Sequence, residues 1–344
     1  MARLLWVWAA VLSCIFGSAL PALGDEPPLL AASEPACSLE QTEQPPSLTR
    51  ADPFARGKVV LTFDDGPQPV ATKKLLDLLE QQQLPAAFFV VGLWVRDDTY
   101  HLIQRMAASG HEIGTHTYSH DLELTRRGWG VEYIEGQYEL TRMLVELALL
   151  ASSPADFRQL YRRVLERKPG VTLSPSQVRA SWRHIQRNHL QLLAERGFDE
   201  QHRVYPMSFA RPPGGIPYEG HWPDKRMRKE HETALRNLGL MNVLWHGGSG
   251  DTVLGKLGDY GFLVGNVRYH AKQGGVLLIH DRMKHQALKA SLERMAKDPT
   301  IHVVALRDAV AEKYACESGQ LYAALRPSQV VASRETEMKR ARPE

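Results

Sequence analysis

The amino-acid sequence predicts an α/β fold, a parallel sheet or barrel in which strands alternate with helices. Three observations carry that expectation. Short apolar runs of β type recur between segments with the apolar spacing of one helix face. The polar motifs with chemical potential all fall at the carboxyl ends of those runs, where parallel sheets and barrels place their sites. The chain is also long enough to bury a large core, with 344 residues of which 43% are hydrophobic and 24% charged.

The elements follow in order. Residues 58–63 (KVVLTF) read as a strand. Residues 70–83 then place Ala71, Leu75, Leu78 and Leu79 on one helical face. Residues 86–91 read as a second buried strand, Asp98 stands where it can cap a helix running through Ala108, and residues 111–114 read as a short strand. The alternation resumes with strands at 207–211, 240–245, 275–280 and 301–305, and helices at 225–239, 285–297 and 306–314. Residues 122–205 break the pattern and read as a helical insertion. Tyr133, Leu140, Leu144 and Leu147 share one face there, as do Val178, Trp182, Ile185, His189 and Leu192, and Ser174-Pro175 suits a cap and first-turn pair. Between Asp156 and Arg196 stand nine Lys or Arg against three Asp or Glu, with Arg179, Arg183 and Arg187 at four-residue spacing. Such a row is either a patch for an anionic polymer or a solvated helix face, and His189 on the apolar side is most simply a core histidine.

The flanks read differently. A positive start at Arg3, an apolar stretch over 4–20 and the small residues Ala22 and Gly24 predict a secretory signal peptide over 1–24. Left uncut, it would act as an anchor helix. Leu12-Ser13-Cys14 has the look of a lipidation box, but the apolar Ile15 and Phe16 that follow speak against it. The mature chain is expected to be secreted or periplasmic, without tight membrane association. Residues 25–57, rich in Pro, Glu, Gln and Ser, read as a disordered linker, 58–320 as the folded domain and 321–344 as a charged tail. Cleavage after Gly24 leaves Cys37 and Cys316, which an oxidising compartment allows to pair or leaves as free thiols. The formal charge is only +3 and no stretch interleaves basic with aromatic residues, so nucleic acid is not an expected partner.

Two motifs carry the chemistry. Thr62-Phe63-Asp64-Asp65-Gly66-Pro67 ends the first strand, and adjacent carboxylates there point in different directions. One can bind a metal while the other handles protons, and a cation offsets the cost of burying both. In isolation the same residues are a plain turn. His116-Thr117-Tyr118-Ser119-His120 follows the third strand, and imidazoles four residues apart on a helical turn share one side. With Asp65 they make a two-histidine, one-carboxylate site that keeps positions open for water and substrate.

On these motifs the chain resembles the polysaccharide deacetylases of carbohydrate esterase family 4, the NodB-homology group. Residues 62–67 and 116–120 match the first two family motifs. Arg211-Pro212-Pro213-Gly214-Gly215 matches the third, and Leu277-Leu278-Ile279-His280, followed by Asp281, the fifth. The fourth departs: where the family has Asp-x-x-Asp-Trp, this chain has Gly248, Asp251 and Thr252 after Trp245-His246-Gly247. The missing tryptophan would have formed an apolar wall near the acetyl group, a wall that His246 or Trp222 could refill. The resemblance implies a distorted (β/α) barrel and one divalent metal ion, zinc, on Asp65, His116 and His120. It implies Asp64 as base held by Arg211, the Gly214 backbone N–H at the oxyanion, and His280 as acid oriented by Asp251. The implied substrate is an acetylated glycan (peptidoglycan, chitin-like or an exopolysaccharide) that loses N-acetyl groups. An O-acetyl or formyl hydrolase of the same fold, or a silent glycan-binding protein, remains open.

Overall fold

A computed structural model describes residues 46–125, 129–199, 202–219, 225–253 and 258–315. The expected signal peptide, Cys37, Cys316, Trp222 and the charged tail lie outside those residues. Among the described residues nine strands form one sheet: β1 (Ser47–Leu48), β2 (Lys58–Asp64), β3 (Ala87–Val90), β4 (Glu112–Thr115), β5 (Phe209–Ala210), β6 (Met241–Val243), β7 (Gly247–Gly248), β8 (Gly275–His280) and β9 (His302–Val303). Their order is β1-β6-β5-β4-β3-β2-β8-β7, with β9 joined to the start of β2, and every pairing is parallel. The helices are α1 (Ala71–Gln82), α2 (Tyr100–Ala108), α3 (Val131–Leu150), α4 (Pro154–Leu165), α5 (Pro175–Glu195), α6 (Lys225–Leu238), α7 (Tyr260–Gln273), α8 (His285–Lys297) and α9 (Leu306–Tyr314). This is the expected β/α architecture, with the strand series ending at β1 and β7.

Period-two alternation sorts the strand side chains onto two surfaces. Val59, Leu61 and Phe63 of β2, with Phe88 and Val90 of β3, join the larger core beneath α1, α2 and α8. Their alternates face the other way. Val60, Ala87, Phe89, Phe209, Met241, Val243 and Val276 form a smaller cluster closed by Leu306, Ala309 and Val310 of α9. Thr62 and Asp64 continue the inward set begun by Val60, so β2 carries Asp64 to the inner surface at its carboxyl end. Arg211 follows β5 and is fully buried.

The insertion is helical, as expected, and holds α3, α4 and α5. α3 is buried from Tyr133 to Ala148 and packs against α2, α4, α5 and α6. Such a helix must satisfy its polar side chains internally. Glu146 does so with Arg203, whose Nε–H it accepts at 2.8 Å, and His189 is fully buried with Nε2 3.3 Å from the same carboxylate. His189 is thus a core histidine. Of the basic row, Arg183 pairs with Glu132 and Arg179 donates to the Trp129 carbonyl at 3.2 Å, so both are engaged inside the insertion. No described helix is long and apolar enough to cross a membrane.

Three expectations are corrected. The linker ends earlier than residue 57: from Pro46 the chain is built onto the sheet, with Leu48 buried and Ser47 opposite Asn242 of β6. An edge strand of two residues has no periodicity for composition to reveal. Asp98 does not cap α2. Thr99 occupies the cap position without a side-chain cap bond, and Asp98 pairs with Arg96 at 3.2 Å. α7 was not expected, because exposed Tyr260, Phe262 and Tyr269 blur the inward stripe of Leu263, Val264, Val267 and Ala271.

The cap of α5 offers a direct test of this local reading. Ser174 Oγ accepts the Gln177 N–H at 3.3 Å, and Gln177 Oε1 accepts the Ser174 N–H at 2.8 Å, a reciprocal capping box. Ser174→Ala is expected to lower unfolding free energy in urea by about 1 kcal/mol. An unchanged midpoint and slope would show that the box adds nothing here.

Candidate active site

The motifs converge where β2, β4, β5 and β8 end. β2 and β8 are in register with Asp64 opposite His280, and β4 meets β5 through Thr115 and Ala210. Asp64 is 2% exposed, Asp65 5% and His116 2%, so the two carboxylates and the first imidazole are out of water. Their compensation therefore decides what the site can do.

Asp64 is compensated by protein. Arg211 Nη1 donates to its Oδ1 at 2.7 Å and to Thr62 Oγ1 at 2.8 Å, while Arg211 Nε donates to the Val243 carbonyl at 2.8 Å. The guanidinium also lies 4.1 Å from the centre of the Phe89 ring, with Trp245 farther off at 5.8 Å. Arg211 is thus fixed from several sides before any substrate arrives.

Asp65 is compensated only in part. Its backbone is in the left-handed region at φ +73°. Oδ2 accepts from Arg282, and Oδ1 is buried without a hydrogen bond. His120 Nε2 comes within 3.1 Å of that oxygen and His116 Nε2 within 3.6 Å. One ligand atom from each of Asp65, His116 and His120 lies within 4.8 Å of the others, a group that could hold a metal ion. The donor set fits. An orphaned carboxylate oxygen faces two imidazole nitrogens, and His116 Nδ1 contacts the Arg211 carbonyl at 2.8 Å, which places its proton there and leaves Nε2 with a lone pair. Burial, aided by the neighbouring His120, pushes the His116 pKa down, in keeping with a neutral ring. Burial also opposes the charge of Asp65, yet His120 and His116 hold its carboxyl well below the usual range.

The two histidines meet by a route other than the expected helical turn. β4 ends at Thr115, and residues 116–120 form a loop in which Thr117 (φ +67°) and His120 (φ +54°) adopt left-handed backbone. Such conformations cost of order 1–3 kcal/mol each and persist only where the surroundings impose them. Gln137 supplies the restraint. This fully buried residue of α3 accepts the N–H groups of Tyr118 and Ser119, both at 3.0 Å, and donates to Ser119 Oγ and Tyr133 Oη, both at 2.9 Å. Gln137 was missed in the sequence. The available signal was an uncharged amide among apolar neighbours on a helix, which has to find partners.

On the other side His280 faces Asp251, with Nδ1 2.9 Å from Oδ1 and its backbone N–H donating to Oδ2 at 3.1 Å. Burial lowers the His280 pKa, but the hydrogen bond and charge of Asp251 outweigh it, with Asp64 and Asp65 adding, and the ring is raised to about 8. Two imidazoles of one site are thus driven in opposite directions by their surroundings. Asp281 is buried with Oδ2 accepting from Thr72, and burial raises its carboxyl to about 6. Gly214 is exposed with φ +62°, and a Cβ there would lie 3.3 Å from Leu122, two residues past His120. His246 does not refill the apolar wall. Its Nε2 contacts the Asp52 carbonyl at 3.0 Å, Nδ1 accepts the Val276 N–H at 3.0 Å, and its ring meets Phe54 edge-on. Arg282 and Thr72 were also missed, because single residues beyond a motif carry no spacing signal.

Residues 51–148 match the family model described as polysaccharide deacetylase. The chain is similar to a chitooligosaccharide deacetylase of Sinorhizobium fredii, 52% identical over 62 residues, covering 18% of this chain and 28% of the relative. It is similar to a peptidoglycan-N-acetylglucosamine deacetylase of Bacillus cereus, 45% identical over 62 residues, covering 18% and 29%. The chain therefore spans under a third of the length of these curated relatives. Among solved structures, the Xyl-CE4 domain of a multidomain xylanase from the hindgut metagenome of Trinervitermes trinervoides aligns at 20% identity over 75% of this chain and 91% of that one, with a TM-score of 0.48.

The burial of Arg211 gives a test that needs no substrate. Arg211→Met leaves Asp64 buried without its cation, and breaking a buried pair in this way costs about 3–5 kcal/mol. The double variant Arg211→Met with Asp64→Leu is expected to recover much of the loss in chemical denaturation. Equal destabilisation of single and double variants would show that the pair does not act as a unit.

Proposed function

We propose, on the match of residues 51–148 to the polysaccharide deacetylase family model, that this chain is a metal-dependent hydrolase that removes N-acetyl groups from an N-acetylhexosamine polysaccharide. The observation that carries the proposal is the convergence of Asp65, His116 and His120 beside the Asp64–Arg211 pair, with His280 opposite. The names of its relatives, chitooligosaccharide and peptidoglycan deacetylases, support the substrate class.

Asp65, His116 and His120 would hold one divalent ion, zinc by the imidazole and carboxylate character of the set, which would supply a Lewis acid for the acetyl carbonyl and lower the pKa of water. Asp64 takes the proton of the attacking water, its carboxylate held in place by the Arg211 guanidinium. The Gly214 backbone N–H serves the developing oxyanion, on an exposed loop with no side chain in the way. His280, protonated and oriented by Asp251, delivers a proton to the departing amine. Residues 1–24 direct the chain out of the cytoplasm as a cleaved signal, so that the enzyme works as a secreted or periplasmic protein on its glycan.

The deciding experiment loads the mature protein with zinc, supplies a panel of N- and O-acetylated glycans and measures acetate. Release from O-acetylated polymers alone would sink the N-deacetylase reading. Asp64→Asn is expected to keep its metal and lose at least ~100-fold in turnover. His116→Ala is expected to lose the metal, read by elemental analysis after dialysis. The pH profile follows from His280. Its proton is held up to about 8 and lost above, so turnover falls as pH rises through that value. Asp251→Asn removes the main interaction raising this pKa, so the falling limb moves to lower pH. A limb that stays in place would exclude His280 as the acid.

A further inference from the structure

We propose that Asn266 and Ser249 are positioning residues for the acid side of this site, holding the loop over residues 247–251 so that Asp251 keeps the His280 imidazole aimed at the leaving group. The inference rests on the hydrolase reading above.

The loop cannot hold itself. Gly247, Gly248 and Gly250 account for three of its five residues, and Gly250 sits at φ +74°. Glycine contributes no side-chain packing and the greatest backbone freedom, so a glycine-rich loop needs restraint from outside. β7 supplies only two residues, paired to Leu277 and Leu278 of β8.

Hydrogen bonds supply the restraint at each step. Asn266 on α7 donates from Nδ2 to the carbonyls of Gly248 and Ser249, both at 2.9 Å, spending both amide protons on consecutive peptides of the loop. Ser249 is 1% exposed, and its N–H donates to the Leu278 carbonyl at 2.8 Å. Its hydroxyl donates to Asp251 Oδ1 at 2.7 Å and accepts the Asp251 N–H at 3.3 Å. Asp251 then contacts His280 through ring and backbone at 2.9 and 3.1 Å. A continuous path therefore runs from α7 to the imidazole. Burial raises the Asp251 carboxyl, but hydrogen bonds from His280 and Ser249 outweigh it and favour the charged form. On the same helix Phe262 and Tyr269 are exposed, while the His270 ring lies against Gly247, where an added Cβ would come within 2.3 Å of it.

Two substrates separate positioning from general damage. An N-acetylglucosamine oligomer needs its leaving amine protonated, whereas an aryl acetate expels a phenolate that needs no acid. Asn266→Leu and Ser249→Ala are expected to lose about tenfold or more in kcat on the oligomer, a part of the ~10²–10⁴-fold that general acid catalysis supplies. KM and the aryl acetate rate stay near the unmodified values, and Ser249→Thr, which keeps the hydroxyl, restores the oligomer rate. Tyr269→Ala on the same helix leaves both rates unchanged. A second readout uses metal-free protein: the low-field proton resonance of the His280 Nδ1–H is present in the unmodified chain and weakened or lost in Asn266→Leu and Ser249→Ala. Equal losses on both substrates, or a His280 resonance unaltered in both variants, would overturn the proposal. Should the unmodified zinc-loaded protein release no acetate from either substrate, the hydrolase reading fails, while the resonance still decides whether Asn266 and Ser249 orient the ring.

Discussion

Neighbouring carboxylates at the end of β2 lie almost wholly out of water, and much of the structure around them follows from the need to compensate their charge. Removing an ion from water costs several kcal/mol even after relaxation, so each carboxylate requires a partner of its own. Asp64 has one within the protein. Arg211, itself fully buried, is balanced in turn by the Val243 carbonyl, Thr62 and the Phe89 ring. Asp65 has Arg282 on one oxygen and an unpaired second oxygen between two imidazoles. The asymmetry gives adjacent residues of like chemistry different fates, one held as a proton acceptor and the other left open for a cation.

Holding this arrangement requires strain, and the strain is met from outside the motifs. Asp65, Thr117 and His120 all carry left-handed backbone at the site. Such residues persist only where packing and hydrogen bonds over-determine them. The loop between the histidines is braced by Gln137 on α3, a helix buried on nearly every side by α2, α4, α5 and α6. The helical span over 122–205 is therefore no surface ornament. It contributes the scaffold against which the candidate ligands are set, and its own buried Glu146–Arg203 pair fixes α3 in turn.

The two sides of the site also differ in what their surroundings do to a histidine. His116, buried beside a second imidazole, is driven toward the neutral form, and its bond to the Arg211 carbonyl leaves the lone pair on Nε2. His280, against Asp251 and within reach of Asp64 and Asp65, is driven toward the protonated form that can give a proton away. Neighbouring groups whose environments pull their titrations apart are the usual mark of divided acid and base roles. Here the division is made by burial, which dominates at His116, and by the hydrogen bond and charge of Asp251, which outweigh burial at His280.

The sequence by itself determined the β/α alternation, the placement of the motifs at strand ends and the residue types that converge. These are legible because strand and helix periods, and the order of short motifs, are local properties of the chain. It also carried the departure at Gly248 and Thr252. What only the tertiary structure decided is long-range and conformational. That includes the left-handed turns that bring His116 and His120 together without a helix, and the burial of Gln137 against their loop. It includes Arg282 on Asp65, Asn266 on the glycine loop, the edge strand at Ser47–Leu48, and His246 turned toward Phe54 instead of the site. Each of these depends on hydrogen bonds or packing between residues distant in the chain, and single side chains of that kind leave no period or spacing to read.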